Sequence, residues 1–212
     1  MTDCISFKII LAIGLIFFLL IIRTFVGLVP SLMATVIRWK ESLNLEASVK
    51  LSRDRNTVAA CAAIFFCLTM ITYEVYDLKC LQTLGPNSHF WVLIGIFCLF
   101  AAIRTFVEHT VRPRRIQAKS YMAVVRVSYS FLIVMTMLLL LMGGIAAVFG
   151  INPEHAKNAI LWISALTYLL HLLRKLQILS SSCSIFAGFL YLCALEILPT
   201  GVLIASAVIF LE

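Results

Sequence analysis

Charge is what this sequence has least of. Only 13% of its 212 residues are Asp, Glu, Lys or Arg, about half the share usual in soluble domains. Hydrophobic residues make up 62%. A soluble domain of this length has too small a core to hide so much apolar surface from water. Disorder is excluded on the same ground, because disordered chains are poor in apolar residues. The remaining solvent is lipid, and the expected fold class is all-α: a polytopic helical membrane protein forming one integral membrane domain over residues 1–212.

Chemical signatures are missing as well. There is no Gly-rich phosphate loop, no Gly-x-Ser-x-Gly elbow and no Ser/Lys dyad spacing. Ser128, Ser130 and Ser164 fall inside apolar runs with no base nearby in sequence. No His-x-x-x-His or Glu-x-x-His pair occurs, so no metal site and no cofactor is expected, and no catalytic residue is assigned. None of the seven cysteines forms a Cys-x-x-Cys pair, and most lie in apolar runs, where thiols pack as small hydrophobes. The topology below puts Cys4 and Cys80 on one side, which permits a disulfide between them without requiring it. Lys8 and the run after it have the look of a signal peptide, but Arg23 stands where a small-x-small cleavage site belongs, so this segment reads as a retained first helix.

What is there is a series of apolar runs. A spanning helix needs about 20 such residues. Six candidates appear, at about 5–28, 57–76, 89–109, 121–149, 156–173 and 185–211. Pro30 is expected to end the first, Gly85-Pro86-Asn87 and Asn152-Pro153 to form turns, and Pro199 to kink the last. Gly143 and Gly144 are expected to bend the fourth helix or admit a close neighbour. Within the polar segment 29–56, Leu32, Met33, Val36, Ile37, Trp39 and Leu43 recur at helical spacing with Arg38, Lys40 and Glu41 between them. This pattern suits a short amphipathic helix in the headgroup region, the alternative being an extension of the first helical hairpin.

The net charge of +7 sits largely in short loops. Nucleic acid is not an expected partner, because no basic stripe interleaved with aromatics is present. The loops holding Arg38, Lys40, Lys50, Arg53 and Arg55, then Arg112, Arg114, Arg115 and Lys119, then Arg174 and Lys175 alternate with loops holding only Lys8, Lys79 or Lys157. The positive-inside rule therefore places three basic loops in the cytoplasm and both termini outside. Helices one and three both end in Arg-Thr-Phe-Val, at Arg23–Val26 and Arg104–Val107, which suggests parallel repeats of an outside–inside–outside hairpin or a coincidence of inner-boundary arginines.

Ionisable groups inside a span face a partner, the bundle interior or water. Arg23, Arg104 and Arg126 lie within about two turns of the inner boundary, where snorkelling accounts for them. Glu196 falls near mid-bilayer, three residues before Pro199. It is expected to pair with Arg126, Arg104 or His171. Glu108 shares a face with Arg104, and Arg174 with His171, at helical spacing. Tyr73, Glu74, Tyr76 and Asp77 form an acidic, aromatic outer end to the second helix.

The run Leu190-Tyr191-Leu192-Cys193-Ala194-Leu195-Glu196-Ile197-Leu198-Pro199 resembles the signature of a polytopic membrane family of Bacteroidetes, the domain of unknown function numbered 4271. The specific match covers roughly the last 40 residues, and the rest agrees in layout. The resemblance implies the inner membrane of a Gram-negative cell and carries no activity. Two functions fit. One is a non-enzymatic accessory or scaffold subunit of a cell-envelope assembly, with a membrane-protein partner or a second copy of itself. The other is a small transporter or channel using Glu196 with the inner-leaflet arginines.

Overall fold

The computed structural model describes residues 5–37, 48–73, 75, 86–110, 118–181 and 185–209. Among these, every regular element is helical. They are α1 (Ile5–Ile37), α2 (Val49–Thr72), α3 (Pro86–Thr110), α4 (Ala118–Phe149), α5 (Pro153–Ser180), α6 (Ile185–Leu192), a wide π turn (Cys193–Ile197) and α7 (Leu198–Ile209). Five of the described helices, α1 to α5, are long and apolar enough to cross a membrane. The C-terminal stretch Ile185–Ile209 is helical throughout but is divided by the π turn. The chain is a multi-pass helical membrane protein.

Four apolar clusters join the helices. Phe7, Leu68, Ile71, Phe90 and Leu93 tie α1, α2 and α3 at one end. Leu28 and Leu32 meet Val58, Ala59, Ala62 and Ile133 between α1, α2 and α4. Val124, Val127 and Phe131 of α4 meet Ile178 and Leu179 of α5. Met70, Leu139 and Ile160 join α2, α4 and α5. Helix α4 is thus the shared wall, packed along α2 and α5, while α3 touches its neighbours sparingly.

Three expected boundaries are corrected. Pro30 does not end the first helix; α1 runs through it to Ile37. A proline removes one backbone donor, but abandoning the helix in lipid would leave several groups unsatisfied. Leu28 and Leu32, buried on either side of Pro30, hold the helix on α2 and α4. Ser31 Oγ donates to the Leu28 carbonyl at 2.7 Å, and Thr35 Oγ1 points at the Ser31 carbonyl in the same way. Leu32, Met33, Val36 and Ile37 therefore belong to α1 and not to a separate interfacial helix; Trp39 and Leu43 lie outside the described residues.

The second helix starts at Val49, eight residues before the expected Thr57. Ser48 caps it, its side chain accepting from the Leu51 N–H. Lys50, Arg53 and Arg55 thus ride on α2 and not in a loop. The fifth helix likewise carries Arg174 and Lys175 within it and ends only at Ser180. Asn152 caps its start, with Pro153 in the first turn, where the missing N–H costs nothing. The Arg174 guanidinium donates to the Val36 carbonyl at the end of α1, where a cation suits the exposed carbonyls.

Cys4, Cys80, Glu74, Tyr76, Asp77, Arg112, Arg114 and Arg115 lie outside the described residues. Cys61, Cys67, Cys98 and Cys193 are free thiols. Gly143 does admit a close neighbour, since the Tyr73 hydroxyl donates to its carbonyl at 3.2 Å. A methyl group at Gly143 would stand 3.1 Å from that hydroxyl, whereas one at Gly144 meets nothing within 4 Å. Gly143→Ala is therefore expected to cost about 0.5–1.5 kcal/mol, the worth of one hydrogen bond. Gly144→Ala is expected to be neutral or to stabilise by up to about 1 kcal/mol through helix propensity. Denaturant titration in micelles checks both, and equal losses at the two positions would refute the contact.

Candidate functional site

The polar residues of the C-terminal half converge on Glu196, whose position follows from its backbone. Pro199 cannot donate, and its ring crowds the preceding turn. The helix widens just before it, and the Leu198 N–H bonds to the Cys193 carbonyl, five residues back. The Glu196 carbonyl is covered by two hydroxyls. Thr200 Oγ1 donates to it at 2.7 Å, and the Tyr168 hydroxyl donates to it at 3.1 Å while lying 3.0 Å from Thr200 Oγ1. The irregular turn is thereby pinned to α5.

The Glu196 side chain is 2% exposed. Its Oε1 accepts from Arg104 Nη2 of α3 at 2.8 Å and from Lys175 Nζ of α5 in a second, closer ion pair. Arg104 Nη2 also donates to Ser128 Oγ of α4 at 2.9 Å. Ser128 Oγ in turn lies 3.3 Å from His171 Nε2 of α5. The His171 ring is flanked by Phe131 and Tyr168, with centroids 5.5 and 6.1 Å away. Tyr168, His171 and Lys175 stand at i, i+3 and i+7, one stripe of α5 facing inward. Three helices and the π turn thus meet in one ionic clasp. Among the described residues, Glu196 Oε2 has no hydrogen-bond partner. It borders a cavity of about 10 Å³ lined also by Lys175, Tyr191, Leu179 and Val124, the space of about one water molecule.

Of the expected partners of Glu196, Arg104 is in direct contact, and His171 joins the same network through Ser128 and Arg104. Arg126 is elsewhere. Its Nη1 donates to Ser52 Oγ of α2 at 2.9 Å, because α4 turns that side chain toward α2 and away from α5. Arg23 is exposed on α1, so the two Arg-Thr-Phe-Val segments place their arginines in different surroundings. The side chain of Glu108 lies outside the described residues. Sequence reasoning missed Lys175, because Arg174-Lys175 resembles a basic turn. The usable signal was its spacing, four residues after His171 and three or four before Ile178 and Leu179, all buried. It also missed the base near Ser128, which comes from another helix. A hydroxyl beside an imidazole is the pairing that nucleophilic catalysis uses. Here Ser128 Oγ also accepts from Arg104, and His171 is buried beside Phe131 and Tyr168, so the pair is joined to the clasp.

Removing one member of a buried ion pair leaves an uncompensated charge and costs about 3–5 kcal/mol. Glu196→Gln is expected to destabilise by that order, and Glu196→Gln with Lys175→Gln by less than the sum of the single changes. Unfolding titrations of the four proteins check this; strictly additive losses would refute the coupling.

No curated protein and no solved structure matches the chain. The family described as "Domain of unknown function (DUF4271)" matches over residues 7–206, nearly the whole chain and well beyond the C-terminal signature. The protein belongs to that family.

Proposed function

We propose that the protein is a non-enzymatic accessory or scaffold subunit of a cell-envelope assembly, seated in the inner membrane with six spans and both termini on the periplasmic side. The observation that carries this reading is the closed clasp. The carboxylate that a transport path would use is engaged by Arg104 and Lys175, is 2% exposed, and borders a space no larger than about one water. Buried ionic groups paired across helices are the kind that fix one arrangement of helices. The sixth span is the stretch Ile185–Ile209, whose π turn interrupts the pattern of backbone bonds without ending the helix. Inner-membrane placement is what the family resemblance implies, and the orientation rests on the excess of basic residues in the segments joining α1 to α2 and α3 to α4 and along the adjoining helix ends.

The outer surface supports an assembly role. In the most apolar windows of α1 and α3 only 11% of residues are buried within the chain. These helices offer long apolar faces to lipid or to a neighbouring membrane protein, and van der Waals packing between such faces drives association in bilayers. A small transporter or channel is the second reading. It rests on the one oxygen of Glu196 that no described residue engages.

Affinity purification of the full chain in mild detergent separates the two. A stoichiometric membrane-protein partner that is lost from the Glu196→Gln variant is the expected result. Recovery of a homo-oligomer alone, together with a solute or proton flux abolished by Glu196→Gln, would reject the scaffold reading in favour of transport.

A further inference from the structure

Glu196 receives Arg104 and Lys175 on one oxygen, Oε1. The other, Oε2, is buried and takes no hydrogen bond from any described residue. An ionised carboxylate offers about four lone-pair sites to donors, and a buried charged group left without a donor is costlier than a neutral one. Oε2 borders the cavity of about 10 Å³ between α4, α5 and α6.

The elements that build the clasp also wall this cavity. Val124 stands one turn before Ser128 on α4, and Leu179 one turn after Lys175 on α5, so both continue the stripes that face Glu196. Tyr191 comes from α6, its ring 6.5 Å between centroids from that of Tyr121 on α4. Tyr191 and Glu196 are five residues apart in the chain. In an unbroken α-helix, residues so spaced point about 140° apart around the axis. The π turn at Cys193–Ile197 takes more residues per turn and narrows that angle. Both side chains line the one cavity. Its wall thus combines a carboxylate, an ammonium and a phenol with aliphatic side chains.

Size and charge decide the occupant. The space admits about one water-sized molecule, and its polar wall sets it apart from the apolar cavities that stay dry. A cation at Oε2 would be a third positive charge beside Arg104 and Lys175, against the single negative charge of Glu196. An anion would face the carboxylate oxygen itself. A proton on Oε2 would discharge Glu196 and leave two cations without a counter-charge. A neutral molecule that donates a hydrogen bond to Oε2 and accepts one from Lys175 or Tyr191 suits all three groups.

We infer that the cavity is a binding site for one water molecule, which donates to Glu196 Oε2 and is a fixed member of the clasp. The water links α4 and α6 to the ion pairs of α3 and α5, and the π turn is what brings its two walls from the C-terminal helix together. The inference goes beyond the scaffold reading and does not depend on it, since the site is internal to the bundle whether or not a partner binds.

The test is a high-resolution diffraction structure of the full chain crystallised from lipid, with companion crystals soaked in rubidium or in bromide. The expected result is one spherical density peak at about 2.5–3.0 Å from Glu196 Oε2, with no anomalous signal at that place after either soak. Val124→Ile adds one methyl group to the cavity wall. It is expected to remove the peak and to lower the denaturant midpoint of unfolding in micelles, because Oε2 then loses its donor. Val202→Ile, at a position 63% exposed on α7 and away from the cavity, leaves the midpoint unchanged. A protein side chain bonded to Oε2 in place of the peak, an anomalous rubidium or bromide peak beside it, or a Val124→Ile midpoint at or above that of the wild type would each overturn the assignment. Where Val124→Ile does not fold, the wild-type density decides alone.

Discussion

A carboxylate in the apolar interior of a bundle needs company, and the arrangement of the C-terminal half follows from how Glu196 is given it. The charge cannot be left to hydrocarbon, so cations must come from helices that lie apart in sequence. Arg104 arrives from α3 and Lys175 from α5, and both reach the same oxygen. The chain widens into a π turn ahead of Pro199, and Tyr168 and Thr200 cover the Glu196 carbonyl within it. Each irregularity is answered by the next. The backbone defect, the buried ions and the hydroxyls of Tyr168 and Thr200 form one connected solution.

The other half of the bundle is organised differently. Between α1, α2 and α4 the joints are aliphatic and aromatic, and the polar groups collect at one end, where Ser52 receives both Arg55 and Arg126. Helix α4 separates the two regimes. Its face with Val124, Val127, Ser128 and Phe131 looks toward α5 and the clasp, and its face with Ile133 looks toward α1 and α2.

Much of this was legible in the sequence. Lipid as solvent, the all-helical class and the isolation of Glu196 in an apolar run all follow from composition and spacing, and Arg104 stood among the partners proposed for it. The boundaries were less legible because the ordinary signals were overridden by packing. Pro30 is a helix breaker in water, yet Leu28 and Leu32 bury against α2 and α4 on either side of it and lipid offers no alternative partner for a broken backbone. Lys175 reads as a loop residue because it follows Arg174. Only the fold reveals that the two point in different directions, one to the end of α1 and the other to Glu196. Contacts such as Ser128 with His171, 43 residues apart, have no local trace at all.

The spacing of the clasp also bears on how the protein is made. Arg104 precedes Glu196 by 92 residues and Lys175 precedes it by 21. At a synthesis rate of about 5–20 residues per second, the arginine waits roughly 5–20 s for its counter-ion. Through that interval α3 rests in the bilayer before its carboxylate partner exists, its charge eased by snorkelling and, once α4 is in place, by Ser128. Its few contacts with α1 and α2 give little to hold it. Membrane insertion is therefore completed in reverse: a helix made later secures the third.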